Sequence, residues 1–323
     1  MAVRDLENQN EIRETYLLVD KKLKPFRNKT GNYLEVELRD STGAIKGRLW
    51  EQGEETYEQI DKGQPVEVQG KIQEFMGELQ VILTEIKNNQ EEHSPEDFLP
   101  WLTEYFEVRE EFLKKLEEVK ERARYSAREV EMLLNKVFSV GFTEEFCKTP
   151  AAVKYHHPYL GGLMHHTLNV VKNAEALAGN YPEADKLLTL TGALLHDIGK
   201  VKEYSLSSGN IEHSVEGVLL GHIILGNQLL NETIRELRKE GIDFPEELEK
   251  LLLHLLTSHH SEGEWGSPRQ PALLEALLVH QADLLDAEAY KFLACEGEAG
   301  SCQWSSLLKR KVYHKKDDWD IPF

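Results

Sequence analysis

The sequence predicts a two-domain protein in which an all-β, five-stranded barrel precedes an all-α helical bundle. From about residue 15 to residue 87, apolar and polar residues alternate in short runs, which is the period of half-buried strands. From residue 151 to about residue 293, apolar residues recur instead at helical spacing. The chain of 323 residues is long enough for two domains with separate cores.

Composition predicts a soluble, cytoplasmic protein that does not enter a membrane. Apolar residues make up 40% of the chain and charged residues 29%. The sequence has no run of eighteen apolar residues, and its first ten residues lack the apolar stretch of a signal peptide. Cys147, Cys295 and Cys302 are widely spaced and predict neither a zinc-thiolate site nor a disulfide framework. We therefore expect any metal to be held by nitrogen and oxygen ligands.

The β region, residues 12–90, predicts a closed barrel. Alternating runs lie at 33–39, 45–50, 66–72 and 79–83, with turns between them at 40–43 and 76–78. A short helical stretch near 54–60 separates the third and fourth of five strands. This order of elements matches a barrel of the oligonucleotide/oligosaccharide-binding (OB) type.

The second and third strands of such barrels bind single-stranded nucleic acid through basic groups and aromatic rings. The candidates here are Lys24, Phe26, Arg27, Tyr33, Arg39, Lys46, Arg48 and Trp50. Alternatively, the aromatic rings belong to the barrel core and the cations to a solvated face. The clustering of the basic and aromatic residues in one stretch favours nucleic-acid binding. The net charge of −19 argues mildly against an extended nucleic-acid coat, but it does not exclude a local site.

The remainder of the chain divides into three segments. Residues 91–149 predict a helical connector, which contains a densely charged run at 108–127 and a shorter helix from 126. Residues 150–295 predict the helical bundle. Its amphipathic stretches lie at 165–178, 184–198, 216–237, 246–259 and 271–293. Residues 296–323 form a tail that is basic between 307 and 316.

A His-Asp pair, His196-Asp197, ends an apolar helical run in the bundle. A buried carboxylate without a partner costs several kcal/mol, and a metal cation is the strongest compensation. On the pair alone, a satisfied core histidine is the more ordinary interpretation. However, 11 of the 13 histidines lie between His156 and His280. Several fall on separate predicted helices, as ligands gathered within a bundle would.

The constellation comprises His166, His196, Asp197, His222, His259, His260 and Asp283. Its order and spacing resemble the HD superfamily of metal-dependent phosphohydrolases, which has an all-helical fold. The resemblance implies that one metal takes His166, His196, Asp197 and Asp283. It also implies that the three remaining histidines serve a second metal, with Asp197 as the bridge. Two cations about 3.5 to 4 Å apart can clamp a phosphodiester for attack by water.

Three stretches carry a closer resemblance: TPAAVKYHH at 149–157, GGLMHHT at 161–167, and SHH at 258–260 followed by EWGSP at 264–268. They are similar to those of the YhaM-type 3′-to-5′ exoribonucleases, which also place an OB barrel before the HD domain. This resemblance implies a metal-dependent exoribonuclease that acts on single-stranded RNA. It implies Mn²⁺, whereas the ligand types alone suit Mn²⁺, Fe²⁺, Co²⁺ or Zn²⁺. Action on single-stranded DNA and assembly into a homo-oligomer remain open.

Four residues are candidates for catalytic roles: Asp197, Lys200, His156 and His157. Lys200 would hold a non-bridging phosphate oxygen, or it is a lysine favoured by the helix C-terminal dipole. His156 and His157 would contact the scissile phosphate or orient a metal ligand.

Two residues of the last bundle helix leave the ligand set open. Asp286 lies one turn from Asp283 and is the alternative candidate for the aspartate ligand of this helix, although the resemblance favours Asp283. His280, one turn before Asp283, is the replacement if an assigned histidine fails.

Two other functions are compatible with these motifs. One is an HD phosphohydrolase that cleaves a nucleotide or cyclic dinucleotide and uses its barrel for regulation. The other is a non-catalytic nucleic-acid-binding scaffold. The complete ligand set counts against the scaffold, and the barrel, which a small nucleotide does not require, counts against the nucleotide hydrolase.

Overall fold

The computed structural model describes residues 2–26, 28–91, 93–206, 210–261, 263, 266–295 and 297–315. Arg27, predicted to contact nucleic acid, lies outside these residues, as do two residues of the 264–268 stretch. The chain forms two compact units, one of Met1–Trp101 with Ser205–Glu212, the other of Leu102–Tyr204 with His213–Phe323. None of the helices in the described ranges is long and apolar enough to cross a membrane.

The first unit contains a closed five-stranded barrel in the order β1-β2-β3-β5-β4. Its strands are β1 (Glu11–Pro25), β2 (Asn32–Asp40), β3 (Gly43–Leu49), β4 (Pro65–Phe75) and β5 (Glu78–Asn88). Pairing is antiparallel except between β3 and β5, and β4 pairs with β1 to close the barrel. Helix α1 (Gly53–Gln59) lies between β3 and β4. The predicted OB-type barrel is confirmed.

Strict alternation along β2 determines which residues fill the barrel. Leu34, Val36 and Leu38 are buried in its core. The intervening side chains lie on the outer face, because successive strand residues point to opposite sides. Glu35 of this face is directly opposite Arg48 of β3. The face predicted to bind nucleic acid is therefore built from the outward residues of β2 and β3.

The second unit is helical, which confirms the predicted all-α bundle. Its helices are α2 (Tyr105–Ser126), α3 (Arg128–Val137), α4 (Val140–Lys148), α5 (Gly162–Gly179), α6 (Lys186–Leu195), α7 (Lys200–Glu203), α8 (Val215–Lys239), α9 (Glu246–Ser258) and α10 (Leu274–Leu293). Phe112 of α2 and Phe146 of α4 belong to the same buried core as Leu194 of α6 and Leu255 of α9. Helices of the predicted connector thus pack as part of the bundle.

Four short strands form two small two-stranded sheets. Strands β6 (Tyr204–Ser205) and β7 (Glu212–His213) form one, and β8 (Cys302–Ser305) and β9 (Arg310–Tyr313) form the other. The β8–β9 hairpin occupies the segment that the sequence predicts only as a basic tail. Its Arg310 guanidinium lies 5.0 Å from the centre of the Phe292 ring of α10.

Candidate metal centre and nucleic-acid face

The structure brings together all seven predicted metal ligands. They come from five places in the bundle: His166 on α5, His196 and Asp197 after α6, His222 on α8, His259 and His260 after α9, and Asp283 on α10. His222 and His260 are partly exposed, and the other five are buried. The ligand atoms fall into two groups that share the Asp197 carboxylate.

The first group surrounds the Nε2 atom of His166. This atom lies 3.2 Å from His196 Nε2 and 3.1 Å from Asp283 Oδ1. It is 3.5 Å from Asp197 Oδ2, which is itself 3.2 Å from His196 Nε2. Ligands held at about 2.0 to 2.2 Å from one ion lie about 3 to 3.5 Å from one another. The four side chains therefore have the spacing of one coordination shell.

The second group lies on the other oxygen of Asp197. Its Oδ1 atom is 3.5 Å from His222 Nε2 and 3.6 Å from His259 Nε2. His222 Nε2 is in turn 3.1 Å from His260 Nε2. Because Oδ2 faces the first group and Oδ1 faces the second, the carboxylate has the orientation of a bridge between two ions.

Buried atoms without hydrogen bonds test whether these residues fit cations. Among the described residues, both carboxylate oxygens of Asp197 and Nε2 of His259 are buried and accept no well-aligned hydrogen bond. Such atoms cost about 1 to 3 kcal/mol each when they have no partner. Lys200 Nζ lies 2.7 Å from Asp197 Oδ2 and compensates the charge on that side only. The arrangement fits divalent cations, as the HD domain implies.

Two ligand histidines are oriented by the helix ends that precede them. Nδ1 of His196 donates to the carbonyl of Ala193, and Nδ1 of His259 donates to the carbonyl of Leu256, each at 2.8 Å. The last carbonyls of a helix lack partners within it, so both are free to accept. A proton on Nδ1 leaves the lone pair of Nε2 directed into the cluster, as metal ligation requires.

His166 is held by Asp286, which the sequence predicted only as a rival of Asp283. Asp286 Oδ2 lies 2.7 Å from Nδ1 of His166, whereas Asp283 faces Nε2. Asp286 also accepts hydrogen bonds from Nε2 of His157 and Nδ2 of Asn169, both at 2.9 Å. Burial opposes the charge of Asp286, but the histidines outweigh it and hold its pKa far below its ordinary value.

His157 lies behind the metal-ligand cluster. It is 3% exposed, and its second nitrogen, Nδ1, is 2.6 Å from the Tyr159 hydroxyl. That hydroxyl is also 2.9 Å from Nδ1 of His165. His157, His166 and Asp286 are spaced closely enough to suggest a third metal group, but their mutual hydrogen bonds already account for the spacing. The geometry suits a positioning role for His157.

His222 has a carboxylate partner that the sequence analysis missed. Glu203 Oε1 accepts from the backbone N–H of His222 at 3.0 Å and lies 3.2 Å from its Nδ1. Glu203 is only 6% exposed. Burial opposes its charge, but His222 outweighs burial and lowers its pKa. A glutamate in a lysine-containing segment gives no signal of this contact in the sequence.

The cluster combines opposed electrostatic effects. Burial disfavours a proton on His166, but the carboxylates of Asp197, Asp283 and Asp286 outweigh it and hold its pKa well above the ordinary value. Burial lowers the pKa of His259 to about 4. The carboxylates therefore favour the protonated form of His166, whereas burial favours the neutral form of His259.

Lys200 and His156 lie close to the cluster, but in different surroundings. Lys200 is 3% exposed; burial disfavours its charge, but Asp197 outweighs burial and raises its pKa. His156 is half-buried, and its ring centre is 5.2 Å from that of His166. Burial, followed by the charge of Lys200, holds the pKa of His156 well below its ordinary value. A neutral imidazole therefore stands beside the ligands.

A cleft of about 620 Å³ opens beside the ligand cluster. His156, His260 and Asp283 line it, together with His280. Nδ1 of His280 donates to the backbone carbonyl of His259 at 2.7 Å, so His280 braces the ligand segment. The cleft gives a substrate access to the cluster.

On the barrel, three predicted aromatic residues form one cluster. The ring centres of Tyr33 and Trp50 are 4.6 Å apart, and that of Phe26 is 5.6 Å from Tyr33 and 6.1 Å from Trp50. Trp50 is 38% exposed, and Lys29 Nζ lies 4.0 Å from the centre of the Phe26 ring. The rings therefore present faces outside the barrel core, which nucleic-acid bases can stack on.

The predicted cations of this face are largely paired with acidic or amide groups. Lys24 and Arg48 both approach Glu35, with nitrogen–oxygen distances of 4.0 and 3.5 Å. Lys46 Nζ lies 3.2 Å from Glu78. Arg39 donates a hydrogen bond of 2.9 Å to the side chain of Asn210. The basic stretch is therefore less strongly positive than its sequence suggests.

Comparison with known proteins agrees with both parts of the structure. Residues 163–288 match the HD domain family, and residues 18–88 match the OB-fold nucleic acid binding domain. The chain is 32% identical over 293 residues to the 3′-5′ exoribonuclease YhaM of Halalkalibacterium halodurans, covering 86% of this chain and 84% of that protein. This protein therefore belongs to the family of YhaM-type 3′-5′ exoribonucleases, which are hydrolases of phosphodiester bonds.

Proposed function

We propose that this protein shortens single-stranded RNA from its 3′ end at a two-ion centre bridged by Asp197. The observation that carries the proposal is the orientation of this carboxylate, whose two buried oxygens face separate groups of ligand atoms. A site for one ion needs no such division. A phosphodiester held by two ions is the substrate that this geometry favours.

We assign the first ion to His166, His196, Asp197 and Asp283, and the second to Asp197, His222, His259 and His260. We infer that both ions are Mn²⁺, because nitrogen and oxygen ligands suit this metal and the resemblance to the exoribonucleases implies it. Bound ions would neutralise charge on the scissile phosphate and lower the pKa of an attacking water.

The side chains around the cluster would prepare it for this chemistry. Lys200 keeps Asp197 ionised, since its ammonium is 2.7 Å from the carboxylate. His157 acts through Asp286, which fixes the ring of His166. His156 lines the cleft as a neutral imidazole, from which it can donate a hydrogen bond to a phosphate oxygen. We therefore treat His157 as a positioning residue and His156 as a substrate contact.

The barrel would hold the strand upstream of the scissile bond. Because most of its described cations are paired, stacking on Phe26, Tyr33 and Trp50 supplies a larger share of binding than the basic stretch suggests. Stacking is indifferent to the sugar, so we expect single-stranded DNA to bind this face as well. The three free cysteines suit a reducing compartment, and we place the protein in the cytoplasm.

Degradation of end-labelled RNA tests the function directly. The full chain is incubated with single-stranded RNA labelled at either end, with Mn²⁺ or with a chelator. We expect a 3′ label to appear at once as mononucleotide and a 5′ label to give a descending ladder, both only with metal. Immediate release of the 5′ label would contradict the proposed 3′-to-5′ direction of degradation. Hydrolysis of free nucleotides, with RNA left intact, would instead support the nucleotide phosphohydrolase.

A further inference from the structure

The cleft beside the metal-ligand cluster has a wall that the proposed chemistry does not use. In addition to His260 and Asp283 of the cluster, its lining includes Lys291 of α10. Leu307 and Lys309, from the turn between β8 and β9, also line it. The C-terminal hairpin therefore contributes directly to the space that a substrate must enter.

The hairpin is fixed against α10 by contacts on that helix. Arg310 lies over the ring of Phe292, and its guanidinium is 3.9 Å from Glu288 Oε2. The other oxygen of Glu288 accepts a hydrogen bond of 2.6 Å from Lys291 Nζ. These contacts give the turn that carries Lys309 a defined position relative to α10.

Lys309 adopts a backbone conformation that costs free energy for a lysine. Its φ angle is +51°, in the left-handed region that glycine and asparagine occupy most easily. The left-handed region is unfavourable for a residue with a Cβ, and residues under such strain cluster at ligand sites. The turn thus tolerates this conformation at a residue that lines the cleft.

We propose that this cleft is the binding site for the last nucleotides of the RNA strand, with Lys309 holding a phosphate and Tyr155 stacking on a base. Tyr155 also lines the cleft and is 64% exposed, so its ring is available. The volume of about 620 Å³ falls within the range of small-ligand pockets and suits one or two nucleotides, not a longer strand. The proposal rests on the proposed function and specifies its substrate site.

The charge distribution favours a phosphate at this wall. The chain as a whole carries a net charge of −19, so a polyanion is repelled in general. In the cleft, Glu288 is already paired with Lys291 and close to Arg310, and no acidic side chain within the described ranges forms an ion pair with Lys309. A local cationic wall beside ligands for two divalent ions is where a strand end would be drawn in.

A matched pair of lysine variants tests the wall. Lys309→Gln removes the ammonium in the cleft, whereas Lys311→Gln removes one from the same hairpin that does not line it. With a five-nucleotide RNA and Mn²⁺-loaded full-length protein, we expect KM to rise about tenfold for Lys309→Gln and less than twofold for Lys311→Gln. The dependence of kcat/KM on salt should weaken for Lys309→Gln by about 0.7 in logarithmic slope, the value of one lost phosphate contact.

A glycine variant separates binding from folding. Lys309→Gly relieves the left-handed backbone, so we expect its melting temperature to be equal or higher while its KM rises as in Lys309→Gln. Equal changes in KM for the Lys309 and Lys311 variants, or no change in either, would overturn the proposal. Either outcome, obtained while the unaltered protein still degrades RNA, would leave the exoribonuclease function standing.

Stacking on Tyr155 has its own test. Tyr155→Ala should raise KM for the five-nucleotide RNA about tenfold, and Tyr155→Phe should restore it, since stacking requires the ring and not the hydroxyl. Bound metal per chain should remain unchanged in both variants. An alanine variant with unaltered KM would remove Tyr155 from the site.

Discussion

At the scale of single residues, Asp197 determines how the centre is organised. It is 1% exposed, and four histidines approach it from different sides in addition to the Lys200 ammonium. His196 and His166 approach Oδ2, and His222 and His259 approach Oδ1. A neutral residue of the same shape would keep the packing and lose the charge that would attract both cations of the proposed two-ion centre.

We predict that Asp197→Asn loses bound metal and at least about 100-fold in hydrolysis, since even residues behind a ligand typically cost 10- to 100-fold. The variant should also lose about 3 to 5 kcal/mol of stability, because Lys200 is left buried without its counter-ion. Metal analysis, RNA degradation and urea unfolding measure the three effects.

The double variant Asp197→Asn with Lys200→Met provides the control for folding. Removing both charges should restore most of the stability but neither the metal nor the activity. Near-full activity in Asp197→Asn, with two ions still bound, would exclude the bridging assignment.

The two aspartates of α10 show what sequence could not decide. Asp283 and Asp286 are three residues apart and so lie on neighbouring positions of one helix face. The pattern alone does not reveal that one faces Nε2 of His166 and the other Nδ1. That division depends on the rotation of α10 against α5, which is set by packing across the bundle.

At the scale of elements, helix ends and one kink position the ligands. His196 and His259 directly follow the last turns of α6 and α9, whose free carbonyls orient their rings. His222 lies inside α8, where Gly221 departs from helical geometry with φ +72° and ψ 161°. In that region only glycine is easily accommodated. The kink allows both the backbone and the ring of His222 to meet Glu203.

We predict that Gly221→Ala weakens the second metal site specifically. Alanine cannot adopt this conformation without strain, so His222 should move away from His259 and His260, and one of two ions should be lost. Metal stoichiometry and RNA degradation report the effect, with an expected loss of about 10- to 100-fold in activity.

Gly226, in the same helix, supplies the control for this variant. A Cβ there would make its nearest contact at 3.4 Å, which is ordinary packing, and Gly226 is helical. Gly226→Ala should therefore keep both ions. Two ions in Gly221→Ala would show that the kink does not position His222.

An ion-pair network joins three helices of the bundle. Glu175 of α5 accepts a hydrogen bond of 2.7 Å from Lys115 of α2, and Lys186 Nζ of α6 lies 2.9 Å from its other carboxylate oxygen. Lys115, followed by Lys186, lowers the pKa of Glu175 to about 2. A carboxylate with a depressed folded-state pKa adds stability above its unfolded pKa of about 4.3, and this stability is lost as pH falls towards 2.

We predict that Glu175→Gln lowers the free energy of unfolding by about 1 kcal/mol at neutral pH, a value reduced for screening by solvent. The difference from the unaltered protein should narrow as pH falls from about 5 towards 2. Urea unfolding at several pH values measures it, with Glu183→Gln, at an exposed position, as the control. A difference that is constant across this pH range would contradict the pairing.

Long elements could be predicted from sequence, and short ones could not. The alternation of β2 and the apolar spacing of α8 and α9 extend over enough residues to reveal their period. Strands β8 and β9 have four residues each, too few for alternation to be visible among charged residues. Glu203 escaped detection because its contact with His222, 19 residues away in sequence, depends on a kink in α8.

At the scale of the whole molecule, the acidic charge balance limits how the protein can hold RNA. With 57 acidic and 38 basic residues, the protein cannot rely on a general positive surface. The described cations of the barrel face are paired with acids such as Glu35 and Glu78. Affinity for a long strand should therefore come from base stacking on the aromatic rings of the barrel and from positive charge at the proposed metal centre.

We predict that substitutions on the barrel affect long RNA and spare short RNA. Trp50→Ala and Tyr33→Ala each remove a ring from the exposed cluster, whose centres are 4.6 Å apart. Each should weaken binding of a strand of about 20 nucleotides by about 1 to 3 kcal/mol, the typical value of one stacked base. Because stacking is not ionic, the salt dependence of binding should remain nearly unchanged.

The matched measurement is hydrolysis of a four-nucleotide RNA by the same variants. A strand this short offers few bases for stacking on the barrel, so its kcat/KM should stay within about twofold of the unaltered protein. Lys46→Gln supplies the electrostatic control: since Lys46 is already paired with Glu78, its loss should alter long-strand binding less than loss of Trp50 does. If Trp50→Ala and Tyr33→Ala bind and degrade the long strand as tightly and as fast as the unaltered protein, the barrel does not hold the substrate. That outcome would favour the alternative function, a nucleotide phosphohydrolase.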